Sequence, residues 1–153
     1  MTNTLRLQRL INCSLSRAWD LWTQPEHLKN WFFPNDIEIV ETDFAPLTNK
    51  TWRTLMKGTD SGAHFPVSGR FETVDAPTTL IFTHGWEDET GAIATLTRVT
   101  ITLEAVGDQT RVTLEQTGLA TPESRDNHAD GWSQVHQPGK LCLICLTHTT
   151  PTP

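Results

Sequence analysis

The sequence predicts an α+β domain in which a curved, seven-stranded antiparallel sheet wraps around one late helix, with two short helices near the start. Three observations support this prediction. Segments rich in Val, Ile, Thr and Phe recur between residues 37 and 118 and show the two-residue alternation of strands. Turn sequences of a few residues separate them, which favours consecutive antiparallel strands. A helical pattern returns only after the last strand, so one long helix is left to cover the apolar face of the sheet.

The first part of the chain predicts one strand and two short helices. Alternation over residues 4–12 predicts the strand. Ser14 or Ser16 can cap the first helix. The apolar stripe of this helix consists of Leu15, Ala18, Trp19 and Trp22. Pro25 is well placed to begin a second, shorter helix over residues 26–31.

Six more strands are predicted before the late helix. Their ranges are 37–44, 50–57, 65–74, 79–86, 94–105 and 109–118. Thr121 then provides an N-cap, and Pro122 takes the first position of a helix that continues over residues 123–137. We expect a single domain over residues 1–137 and a divergent tail over residues 138–153, because Pro138 ends the helix before that tail.

Length, charge and cysteine content narrow the classes of function. A chain of 153 residues makes one domain with a core that needs no disulfides. A net charge of −6 opposes binding to nucleic acids or anionic membranes, which need a basic surface. No apolar run is long enough to span a membrane, and the first residues lack a secretory signal. Three cysteines, an odd number, argue against a disulfide scaffold, so we expect a cytoplasmic protein.

The aromatic residues are unusual in kind, with six Trp, six Phe and no Tyr. Such a set is typical either of a very aromatic core or of a cavity lined for a flat, apolar guest, and both interpretations are open at this point. Strand alternation places Phe82, His84 and Trp86 on one face of their strand. The predicted ligand-binding residues are Trp31, Phe33, Trp52, Phe65, Phe71, Phe82, His84, Trp86, His128 and Trp132.

Two histidines are candidates for polar contacts in such a cavity. His128 and Trp132 lie four residues apart and share one face of the late helix, and His84 can approach them from the sheet. A buried histidine can orient a ligand carbonyl or act as a general acid or base. No carboxylate pair, Gly-rich phosphate loop or nucleophile elbow accompanies these residues. We therefore expect binding rather than catalysis and predict no catalytic residue.

The tail contains the pair Cys142 and Cys145, and His148 and Cys13 would complete four zinc ligands. Structural zinc sites usually show two ligand pairs, so small apolar cysteines in a buried tail are the simpler interpretation. We predict no metal and no cofactor. The tail can also add a strand to an exposed sheet edge of a second copy and so form a dimer. The sequence is therefore compatible with either a monomer or a homodimer.

Several segments together match a known family in their order and spacing. They are residues 16–28 followed by Trp31, then Asp43-Phe44, and residues 69–74, 80–83, 99–104, 110–114 and 128–132. In this pattern the chain resembles the START/SRPBCC superfamily, whose helix-grip fold is also that of the birch-pollen allergen. Within the superfamily it is similar to the HSP-90 ATPase-activator homologue-like family, over residues 5–134.

The resemblance implies a helix-grip fold with a cavity between sheet and late helix, but no single reaction. Members of the superfamily include lipid carriers, aromatase/cyclases, stress-response proteins and a co-chaperone domain. The co-chaperone carries a separate N-terminal domain, for which this chain has no length. We therefore expect the chain to bind a small hydrophobic or aromatic molecule, and neither nucleic acid nor membrane. The alternatives are a cyclase- or isomerase-like enzyme that uses a cavity histidine, and a co-chaperone or interaction module.

Overall fold

The computed structural model describes residues 3–23, 37–46, 50–135 and 149–151. The elements in these ranges are β1 (Asn3–Ile11), α1 (Leu15–Thr23), β2 (Ile37–Thr42), β3 (Thr51–Gly58), β4 (His64–Asp75), β5 (Thr79–Trp86), β6 (Thr97–Val106), β7 (Gln109–Leu119), α2 (Pro122–Val135) and β8 (Thr149–Pro151). The strands form one sheet in the order β2-β3-β4-β5-β6-β7-β1-β8, and its pairings are antiparallel. The seven predicted strands and the α+β helix-grip architecture are confirmed.

Both helices begin where side-chain caps were expected. The backbone N–H of Arg17 donates to Ser14 Oγ at 3.3 Å, which selects Ser14 over Ser16 as the cap of α1. The backbone N–H of Ser124 donates to Thr121 Oγ1 at 3.0 Å at the start of α2. The predicted short helix over residues 26–31 lies outside the described residues.

The strand β8 was not predicted as part of the chain's own sheet. Its three residues pair with Arg9, Leu10 and Ile11 of β1. Residues 149–151 of the tail therefore add a strand to the sheet of their own chain. Three residues are too few to show an alternating pattern, so the strand can be identified only from its partner.

The start of β6 is the largest difference between predicted and observed strands, since it lies at Thr97 and not at residue 94. A loop occupies the preceding residues. The carboxylate of Asp88 accepts hydrogen bonds from the backbone N–H groups of Thr90 and Ala92, at 2.8 and 3.1 Å. Ile93 then forms an isolated bridge with Glu87. This local turn removes residues 94–96 from the strand despite their apolar and β-branched character.

The core lies on one face of the sheet, which we call the inner face. Inward residues alternate along every central strand, and β7 shows this most regularly with buried Thr110, Val112, Leu114 and Gln116. The helix α1 packs on β6 and β7, and α2 packs on β1 and β7. Within the described ranges, no helix combines the length and the apolar character that crossing a membrane requires.

A break in the β4–β5 ladder fixes the position of Trp52. The indole N–H of this buried residue donates to the backbone carbonyl of Thr83 at 3.1 Å. The backbone N–H of Arg70 donates instead to the side-chain Oγ1 of Thr83, at 2.8 Å. A Cβ on Gly69 would lie 1.9 Å from the same carbonyl oxygen. The carbonyl can therefore face Trp52 only because the residue beside it is glycine.

Candidate functional site

Four aromatic rings form a closed cluster on the inner face. The ring centroids of Phe44 lie 5.1, 5.0 and 5.1 Å from those of Trp52, Phe71 and Phe82. Trp52 and Phe82 are 5.6 Å apart, and all these contacts are edge-to-face. Phe44, Trp52 and Phe82 are buried, and Phe71 is half-buried. These rings pack against one another and make a filled floor for the site.

Phe44 is the member of this cluster that was not among the predicted site residues. In β2, Ile39 pairs with Met56 and Thr42 pairs with Thr54, so the two residues between Ile39 and Thr42 lie opposite the single residue Leu55. The bulge between Ile39 and Glu41 shifts the alternation by one residue. Strict two-residue alternation from Ile39 would place Phe44 on the outer face. Because the bulge shifts the alternation by one residue, Phe44 lies on the inner face.

A second group of rings joins the sheet to α2. The indole N–H of Trp86 donates to His128 Nε2 at 3.1 Å, and His128 Nδ1 donates to the backbone carbonyl of Ser124 at 2.7 Å. The geometry thus assigns the neutral tautomer of His128 with its proton on Nδ1. The His84 ring lies 5.5 Å from that of Trp86 and 6.1 Å from that of His128. His84 also lies 5.9 Å from Trp52, so the second group continues from the floor.

His84 is a buried, uncharged member of this group. Burial and then the neighbouring His128 lower the pKa of His84 to about 3. It is therefore neutral near pH 7 and poorly suited to carry protons in that range. Its backbone carbonyl accepts a hydrogen bond from Thr97 Oγ1, which in turn accepts one from Gln116 Nε2, each at 2.8 Å. Gln116 was recognisable from the sequence as a polar residue at an inward position of β7, although it was not among the predicted site residues.

The low pKa of His84 predicts a loss of stability in acid. In the unfolded chain His84 takes up a proton as the pH falls through 6.5, whereas the folded protein takes it up only at about 3. The unfolded state binds more protons between these values, so the free energy of unfolding falls with the pH, by up to about 1.4 kcal/mol per unit. Urea unfolding at pH 6 and at pH 5 measures this slope, and His84→Gln is expected to reduce it. Equal slopes in the two proteins would contradict the prediction.

Two apolar rings stay uncovered at one end of the inner face. Phe65 is 41% exposed and Trp86 is 40% exposed. Their strand partners, Met56 and Val67, are buried, so both rings belong to the inner face. Trp31 and Phe33 lie outside the described residues, and Trp132 is described only as part of the α2 backbone. The structure thus brings His84, Trp86 and His128 together and places Phe65 at the same exposed end.

Comparisons with known proteins identify the family to which this chain belongs. The model of the family described as "Activator of Hsp90 ATPase homolog 1-like protein" matches residues 12–138, most of the chain. The chain belongs to this family. This AHSA1-like membership confirms the resemblance to the HSP-90 ATPase-activator homologue-like family that was inferred from the sequence. A comparison with curated proteins found no match.

Solved structures show that the AHSA1-like chain shares its fold with proteins of several bacteria. The AHSA1 protein of Silicibacter pomeroyi is 23% identical with a TM-score of 0.81, and the similarity covers 87% of this chain and 92% of that one. A protein of Chromobacterium violaceum is 20% identical with a TM-score of 0.76, covering 94% and 96%. A protein of Nitrosomonas europaea is 26% identical with a TM-score of 0.68, covering 86% and 88%.

The AHSA1-like site consists of rings and uncharged polar groups. Within the described part of the chain, no group of three or more His, Cys, Asp or Glu residues could hold a metal ion. Cys13 is half-buried, and Cys142, Cys145 and His148 lie outside the described residues. The described inner face therefore offers apolar contact, aromatic stacking and neutral hydrogen-bonding groups.

Proposed function

We propose that this AHSA1-like protein binds a small hydrophobic or aromatic ligand between the inner face of its sheet and α2. The observation that carries the proposal is the exposure of Phe65 and Trp86 on a face that is otherwise buried. Large apolar side chains that stay open to solvent beside a core are typical of ligand-binding surfaces. The closed cluster of Phe44, Trp52, Phe71 and Phe82 connects to Trp86 through His84, whose ring lies 5.9 Å from that of Trp52 and 5.5 Å from that of Trp86.

Binding in this site would depend on removing apolar surface from water. His128 acts as a positioning residue, because both of its ring nitrogens already bind protein groups and one of them holds the Trp86 ring. His84 is neutral near pH 7 because its pKa is about 3. His84 therefore presents no charge to a guest near pH 7, which favours an uncharged ligand.

The same chemistry argues against the enzyme alternative. A cyclase- or isomerase-like reaction that uses a cavity histidine needs a group that exchanges protons near neutral pH. Burial keeps His84 far from that range, and His128 would first have to release Trp86 or Ser124. We therefore place binding without turnover ahead of catalysis, and we expect the protein to act in the cytoplasm.

Nile red, an uncharged apolar dye, tests the proposal. We expect it to bind the protein with enhanced fluorescence, and Phe65→Ser or Trp86→Ala to weaken binding by about five- to thirtyfold. A partly exposed ring contributes roughly 1–2 kcal/mol when a guest covers it. Val40→Ser is the matched control, because Val40 is also an exposed apolar residue (48%) but lies in β2, at the sheet edge and two strands away from β4.

Native mass spectrometry of the protein purified from its own host would identify a ligand that travels with it. A bound small molecule that Nile red displaces would support the proposal. Equal dye binding by the wild type, Phe65→Ser and Trp86→Ala would contradict it, since the exposed rings would then contribute nothing.

A further inference from the structure

The opposite face of the sheet carries a groove that the proposed ligand site does not use. Its volume is about 630 Å³, within the usual range for sites that hold small molecules. Strands β3, β4 and β5 supply its floor, and Ile93 and Leu96 from the β5–β6 loop form one wall. The loop can approach so closely because Gly85 has no side chain: a Cβ there would lie 2.3 Å from Ile93 Cγ2.

Two ion pairs neutralise most of the charge around this groove. Arg53 Nε donates to both carboxylate oxygens of Glu87, at 3.2 and 3.0 Å. Arg98 binds Glu72 through two hydrogen bonds of 2.5 and 3.2 Å. Ion pairs with two hydrogen bonds hold both charged groups in a fixed geometry, and they leave few donor or acceptor atoms for a third group. The remaining acid, Asp43, accepts a hydrogen bond from the backbone N–H of Arg53 at 2.6 Å.

Arg70 is the exception among the charged residues that line the groove. Its side chain is exposed, and among the described residues it has no ion pair and no side-chain hydrogen bond. Its backbone N–H is already satisfied by Thr83. The guanidinium is thus a planar cation with donors available for a carboxylate.

Apolar surface lies in the same groove as this cation. Leu96 is 55% exposed, the highest value among the exposed large hydrophobic residues in the described part of the chain, and Ile93 is half-buried beside it. We infer that the groove binds a small organic anion with an apolar body, its carboxylate on Arg70 and its chain on Ile93 and Leu96. The ligand class follows from Arg70, the one unpaired cation among the described residues that line the groove, and from the adjacent aliphatic wall. The site is separate from the inner-face site because the sheet lies between them.

Octanoate is a suitable probe, and titration of the full, ¹⁵N-labelled chain by NMR localises its binding. We expect saturable shifts at the amides of Ser68, Arg70, Thr83 and Leu96. Arg70→Gln should weaken octanoate binding by about three- to tenfold, the range for a partly exposed charge-assisted contact. Arg6→Gln is the matched control, since Arg6 is also an exposed arginine and pairs with Glu115 at 4.0 Å on β7.

Two further probes separate the parts of the ligand. Octanol keeps the chain but lacks the carboxylate, and acetate keeps the carboxylate but lacks the chain, so both should bind this groove more weakly than octanoate. The inference is overturned if octanol binds as tightly as octanoate, or if Arg70→Gln binds octanoate as the wild type does. Shifts confined to Phe65 and Trp86 would also overturn it, because they would place octanoate on the inner face.

Discussion

Replacing Gly69 by alanine is expected to destabilise the protein by about 2–5 kcal/mol, enough to prevent folding if the domain is only marginally stable. The new Cβ would lie 1.9 Å from the backbone carbonyl oxygen of Thr83, a rigid group that cannot rotate away. The same oxygen accepts a hydrogen bond of 3.1 Å from the indole N–H of Trp52. Any shift that relieves the clash would therefore lengthen or break this hydrogen bond. Urea unfolding followed by tryptophan fluorescence measures the loss as a lower midpoint.

Gly58→Ala is the matched control for this prediction. Gly58 also lies in a strand and is buried, but the atom nearest to its added Cβ is Ser61 Oγ, at 2.6 Å. A hydroxyl on a flexible side chain can move, so we expect this variant to lose about 1 kcal/mol or less. If Gly69→Ala unfolds at the same urea concentration as Gly58→Ala, the inward orientation of the Thr83 carbonyl would be contradicted.

The second large effect is expected for Phe44→Ala, which should destabilise the protein by about 3–5 kcal/mol. Phe44 is fully buried and contacts Trp52, Phe71 and Phe82 at once, with centroids about 5 Å apart. Its removal leaves a cavity in the centre of the floor, and the three surrounding rings lose their edge-to-face partner. Thermal and urea unfolding both measure the change in the free energy of unfolding.

Phe71→Ala provides the comparison for Phe44→Ala within the same cluster. Phe71 is half-buried and contacts Phe82 at the longer centroid distance of 6.3 Å, so its loss should cost clearly less. Similar losses for the two variants, or a loss below about 0.5 kcal/mol for Phe44→Ala, would show that the rings do not form a closed floor.

Local patterns explain why most of the fold was predictable. Two-residue alternation and short turns depend on neighbouring residues, and so do the caps at Ser14 and Thr121. The approach of His84 to His128 was also predictable, because each lies on a known face of its strand or helix. The start of β6 was placed too early because the Asp88 turn depends on a hydrogen-bonding pattern that propensity does not show.

The features that were missed depend on contacts between distant segments. The inward position of Phe44 follows from a bulge in β2, whose presence depends on how β2 pairs with β3. The role of Gly69 depends on a carbonyl from the neighbouring strand. The pairing of β8 with β1 joins residues about 140 positions apart and involves only three residues.

The antiparallel succession of strands from β2 to β7, the starts of α1 and α2, and family membership could thus be predicted from the sequence alone, since each rests on spacing along the chain. Which rings close the core and which stay open was decided only by the tertiary structure. Phe82 and Trp86 show the difference: they lie four residues apart on the same face of β5, yet the first is fully buried and the second is 40% exposed. Alternation assigns both to the inner face, but burial depends on which other elements cover each end of that face.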